Sequence, residues 1–131
     1  MQINSSKVSI NNSSVTTYKF LCNANNYEKL MPESISKFEA YDDTKFLFAL
    51  KGMPEIILKQ ADSNPNEYIK FIAGGGKIDF SLLININEID SNYCELDLKF
   101  EGDFNPMMAM MIKKPITSFL ETLVSNASKT I

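Results

Sequence analysis

Two acids followed by a hydroxyl, Asp42-Asp43-Thr44, and a glycine run ending in a cation, Gly74-Gly75-Gly76-Lys77, are the stretches whose residue types could do phosphate chemistry. Neither has the surroundings that chemistry needs. No glycines and threonines flank the acids to cradle a phosphate, the glycine run lacks phosphate-loop spacing, and both sit between strands rather than at a strand-to-helix turn. They read as hairpin turns. Histidine is absent from the sequence, which removes the commonest general base and metal ligand, and with it every Ser/His/Asp and Cys/His nucleophilic set. Cys22 and Cys94 occur in no metal-ligand spacing and read as buried or idle thiols. No metal or cofactor is expected. Asp103 would need a second titratable group converging on it to act as a catalyst; beside Asn105 it reads as part of a helix start.

The most unusual local feature is Met107, Met108, Met110 and Met111. Methionine is unbranched and polarizable, so such a cluster suits a cavity wall that reshapes around varied apolar ligands, and equally suits irregular core filling or a dimer contact. The run 107–112 is apolar all round and cannot all face one sheet, so some of it lines a void, meets the short helices or meets another chain.

These residues open the longest helix in the chain. Asn105 supplies an N-cap and Pro106 suits the first helical position, after which Met108, Ile112, Ile116, Phe119, Leu123 and Ala127 recur at helical spacing. Lys113, Lys114, Glu121 and Lys129 fall on the watery side. Pro115 has no N–H for the carbonyl of Met111, which predicts a bend over 111–116 that wraps the helix around a curved sheet.

The remaining elements are read in order. Residues 2–10 suit one strand; Val15, Tyr18, Phe20 and Leu21, then Tyr27, Leu30 and Met31, suit two short helices ended by Pro32. From there the period changes to two. Strands are expected over 34–41, 45–51, 55–60 and 68–73, with a polar loop over 62–66 and a hairpin tip at Gly74-Gly75-Gly76. Ile78, Phe80, Leu82, Ile84 and Ile86 then alternate against Lys77, Asp79, Ser81, Asn85 and Asn87, and Cys94, Leu96, Leu98 and Phe100 repeat the pattern. One apolar face and one wet face are what a sheet covered on a single side requires.

At 131 residues the chain is expected to be a single domain, 1–131, able to bury about two-thirds of its unfolded surface. A net charge of -3 with no basic stretch disfavours nucleic acid and anionic membrane surfaces. Residues 1–10 lack a signal peptide's cationic head and apolar core, and no run approaches the roughly 20 apolar residues of a membrane span. A cytoplasmic location without stable membrane insertion is the expectation.

The element order, together with EGDFNPMMAMMIKKPITSFLETL after an alternating hairpin, resembles the helix-grip fold of the SRPBCC (START-like, Bet v1-like) superfamily. NYEKLMPESISKFEAYDD and LKGMPEIIL are similar to segments of small bacterial members of unassigned role. The resemblance implies an α+β fold, a curved antiparallel sheet of about seven strands in the order β-α-α-β6-α, wrapped around the C-terminal helix. It also implies an apolar cavity, in a family whose members bind lipids, sterols, quinones or polyketides, cyclise polyketides, or act as co-chaperones. The leading expectation is binding of a small hydrophobic or amphipathic ligand by Met107, Met108, Met111, Phe119, Phe80, Leu82, Leu98 and Phe100. A cyclase or dehydratase predicts two titratable groups in that cavity. An interaction or chaperone-adaptor module predicts a small filled core and an exposed apolar patch. The partners expected are a small apolar ligand and, separately, a second copy in a homodimer.

Overall fold

The computed structural model describes residues 1–76 and 79–131. Strands β1 (Gln2–Asn4) and β2 (Val8–Ile10) lead to helix α1 (Ser14–Leu21) and a 3₁₀ helix (Ala24–Leu30). Strands β3 (Ile35–Asp42), β4 (Lys45–Leu50), β5 (Ile56–Asn64), β6 (Tyr68–Gly76), β7 (Ser81–Asp90) and β8 (Tyr93–Glu101) follow, and helix α2 (Pro106–Thr130) ends the chain. All pairings are antiparallel, in the order β1-β8-β7-β6-β5-β4-β3, with β2 also on β8. This is an α+β helix-grip architecture. No helix of the described residues is long and apolar enough to cross a membrane.

Several expected boundaries are corrected. The first strand is two, because Ser5 interrupts it: its N–H donates to the Leu98 carbonyl while its hydroxyl accepts from the Leu98 N–H. That split raises the strand number to eight. The second short helix is 3₁₀, with Tyr27 and Leu30 buried beneath it. The 62–66 loop is largely strand, since β5 runs through Asp62 and Ser63 to Asn64, and the turn is carried by Asn66 at φ 68°. Asp62 accepts from the Tyr68 hydroxyl and Ser63 from the Tyr18 hydroxyl, so these polar residues have partners in an extended chain.

Gly74-Gly75-Gly76 lies beyond the last β6–β7 contact, between Ala73 and Phe80, but is not a free turn. The glycines continue β6, pairing as far as Ile56 with Gly76, and the register slips between Ile56 and Leu58. An added Cβ at Gly74 would lie 2.9 Å from Ile57 Cγ2, and Gly75 has φ +133°. The run is a bulge that bends the sheet, of the kind that needs glycine. The expected positions of Lys77 and Ile78 lie outside the described residues, and Phe80 immediately precedes β7.

The alternation in β7 and β8 holds: Leu82, Ile84, Ile86, Cys94, Leu96, Leu98 and Phe100 are buried on one side. Strand β4 departs from it. Leu47 and Ala49 alternate with Phe46 and Phe48 yet are also buried, and Leu47 pairs with Ile57 on the neighbouring strand. Helix α2 starts as read, with Asn105 accepting the Met108 N–H at 2.8 Å and Pro106 at its first position, and continues as helix through Pro115. It buries Ile112, Ile116, Phe119, Leu120, Leu123, Val124 and Ala127 against the sheet and short helices.

Candidate functional site

The grip is the space between α2 and the concave face. Phe48 on β4 and Phe119 on α2 stack across it at 4.6 Å, and its open end is set by Phe80, Phe100 and Phe104, stacked in sequence at 5.2 and 6.0 Å. Gly102 permits the last contact: an added Cβ would lie 2.7 Å from the Phe104 ring and 2.9 Å from the Asp79 carbonyl oxygen. The chain can therefore fold Phe104 back over Phe100.

Between these rings remains a void of about 10 Å³, lined by Phe48, Ile56, Leu58, Phe80, Leu82, Phe100, Ile116, Phe119 and Leu120. A single water needs about that much room and at least two polar partners, which this lining does not offer. Farther along, Leu98 packs with Leu96, Leu123, Val124 and Ala127 in a seam that closes completely.

Of the residues expected to line a cavity, Phe80, Leu82, Phe100 and Phe119 converge on the void, and Leu98 lies in the adjoining seam. Met108 is partly buried against the core. Met107 and Met111 are on the outer side of α2, 78% and 52% exposed, with Met110 beside them at 83%. The rotation of about 100° per residue explains this: once Ile112 and Ile116 face the sheet, Met107 and Met111 are carried well off that face. Phe48, Ile56, Leu58, Ile116 and Leu120 also line the void and were missed. The periodicity of β4, β5 and α2 marks them as core without saying which core residues border a gap.

No titratable group lines the void. Tyr27, buried beneath the 3₁₀ helix, donates its hydroxyl to the Leu21 carbonyl at 2.7 Å. Burial, then the neighbouring Cys22, pushes its pKa well above the usual tyrosine value. Among the described residues no group of three His, Cys, Asp or Glu could hold a metal. The larger hollows are open and on the surface. One of about 580 Å³ lies near Met1, Asp79, Glu101 and Asp103; another of about 620 Å³ lies between Ser14, Asn64 and Glu88; a third, of about 550 Å³, runs along Met110, Lys113, Lys114, Thr117 and Ser118.

No protein-family model and no curated protein matches this chain. Solved structures do. A conserved protein from Geobacillus kaustophilus superimposes with TM-score 0.74 at 12% identity, over 98% of this chain and 93% of that one. A START superfamily protein from Mycobacterium smegmatis gives 0.70 at 10% identity, over 99% of each chain. Norcoclaurine synthase from Thalictrum flavum, in complex with dopamine and hydroxybenzaldehyde, gives 0.75 at 15% identity, over 98% of this chain and 84% of that one. With an eight-stranded antiparallel sheet closed by a long C-terminal helix, the chain has the helix-grip fold of the START-like and Bet v1-like proteins.

Proposed function

We propose that this chain works as a non-catalytic interaction module, binding a protein partner through its outer surface rather than a small molecule in its grip. The closed grip carries this reading. A preformed small-molecule site spans about 300 to 1,000 Å³, and the void between α2 and the sheet has about 10 Å³. Met107 and Met111, which would have made an adaptable cavity wall, instead lie on the surface, where flexible thioethers suit a protein contact.

A second reading, a carrier for a lipid-, quinone- or polyketide-like molecule, is favoured by the void's lining, which is apolar throughout. Norcoclaurine synthase holds dopamine and hydroxybenzaldehyde on this fold. A carrier here would have to part Phe48 from Phe119 before a ligand of ordinary size could enter. The enzyme reading lacks the two titratable groups it requires among the residues lining the void.

Native mass spectrometry of the protein purified gently from its own host separates these readings. The expected spectrum shows no small-molecule adduct. A stoichiometric apolar adduct would overturn the interaction reading in favour of the carrier.

A further inference from the structure

Resting on that outer-surface reading, we infer that the first half of α2 is a self-association face, which pairs antiparallel with the same face of a second copy about a two-fold axis. The face has an apolar centre. Met107, Met110 and Met111 are 78%, 83% and 52% exposed, and the open groove of about 550 Å³ begins at Met110 and runs between Lys113, Lys114 and Thr117. A protruding Met107 and a groove one turn farther along the same helix can serve each other across a two-fold axis, as an isologous contact demands.

Charge selects the partner and the direction. Exposed Glu101 and Asp103 stand just before the helix, exposed Lys113 and Lys114 stand just past the methionines, and no acid occurs between residues 104 and 120. Among the described residues the ion pair is between Lys37 and Glu55, leaving these four charges without one. Pro106 to Lys114 rises about 12 Å, so the two signs are separated along the helix by the length of the methionine stripe. A parallel pairing in register sets like charges side by side. The antiparallel pairing that places Met107 opposite Met110 places Asp103 opposite Lys114, twice by symmetry.

One short helix face falls toward the low end of the roughly 1,200 to 2,000 Å² that stable interfaces bury, so the dimer is expected to be weak, with dissociation in the micromolar range. Sedimentation equilibrium on the full chain, from about 1 to 500 μM, should show a monomer–dimer equilibrium. Met110→Glu should weaken it at least tenfold without unfolding, because the side chain touches little in the monomer. Lys114→Glu and Asp103→Lys should each weaken self-association, and an equimolar mixture of the two should regain a heterodimer in which both ion pairs are restored, one reversed. A monomer across the range overturns the proposal, as does a dimer unaffected by Met110→Glu or a mixture that associates no better than its components. Native mass spectra of the same samples keep the two readings apart: a monomer with an empty grip removes self-association alone, whereas a ligand-filled grip removes the interaction reading beneath it.

Discussion

Phe48 on β4 and Phe119 on α2 stack face to face, with ring centroids 4.6 Å apart and planes inclined by 11°. This contact joins the middle of the helix to β4, the strand next to one edge of the sheet, and it fills space that the family resemblance implied would be a cavity. Two aromatic rings in offset contact contribute more than their buried area alone. The closed grip is therefore held by a specific pair.

Phe119→Ala tests that role. Removing a buried aromatic ring costs about 3–5 kcal/mol and leaves an apolar cavity when the surroundings relax only in part. The void already present beside Phe119 should merge with the vacated volume. Denaturant titration is expected to show the loss, and benzene should raise the variant's melting temperature while leaving the native protein unaffected. Full collapse, with no benzene response, would mean that α2 settles onto the sheet without Phe119.

Gly102→Ala addresses the open end of the grip. The new methyl would lie 2.7 Å from the Phe104 ring and 2.9 Å from a backbone oxygen of Asp79. The ring can rotate aside, but the backbone cannot, so Phe104 should leave Phe100 and the variant should lose about 1–3 kcal/mol. Chemical-shift changes at the Phe80 and Phe100 rings would report the displacement. Unchanged ring shifts would show that the stack does not depend on Gly102.

Much of this architecture was written in local pattern. In β7 and β8 each strand has one covered face, so burial and polarity alternate with the pleat, and in α2 the Asn105-Pro106 start is a short-range capping signal. Other features depend on partners distant in sequence. Three consecutive glycines read as a turn, yet they also extend β6 along β5, and a side chain at Gly74 would meet Ile57 across the strand pair. In β4 a period of two would turn Leu47 and Ala49 away from Phe46 and Phe48, yet both are buried. The methionine run has no period, so its orientation is set by Ile112 and Ile116 farther along the helix. Grip volume is a small difference between the sheet's curvature and the bulk of Phe48 and Phe119, and no single segment carries it.

The turn between β3 and β4 gives a prediction at acid pH. Asp42 accepts from the Thr44 N–H at 2.7 Å and from the Thr44 hydroxyl at 2.8 Å. The Thr44 backbone bond first, then its hydroxyl, holds the Asp42 carboxyl below the usual aspartate value of 3.8. Its contribution to stability is therefore complete above that value and declines as pH falls below it. Asp42→Asn keeps an acceptor oxygen but removes the charge. Unfolding measured from about pH 6 down to pH 2.5 should show the difference between native protein and variant narrowing toward acid. A constant difference would show that this carboxylate's ionisation is not linked to folding.

At the alkaline end a prediction follows from Tyr27, the fully buried tyrosine. Its ring stacks on Phe46 at 4.8 Å and meets the Phe71 ring edge-on at 5.6 Å, while its hydroxyl reaches the Leu21 carbonyl. Burial disfavours the phenolate, so the folded-state pKa is well above the unfolded value. The stability that follows is fully present below about pH 10, where unfolded tyrosine begins to ionise, and is lost as pH rises beyond it. Tyr27→Phe should cost about 1–3 kcal/mol at neutral pH, because the Leu21 carbonyl loses a buried donor. The same variant cannot ionise at this position, so its stability should fall less steeply between about pH 9.5 and 11.5 than that of the native protein. The two curves should converge toward the alkaline end. Parallel curves would mean that Tyr27 ionises in the folded state as readily as in the unfolded one, which a ring enclosed by Phe46 and Phe71 should not allow.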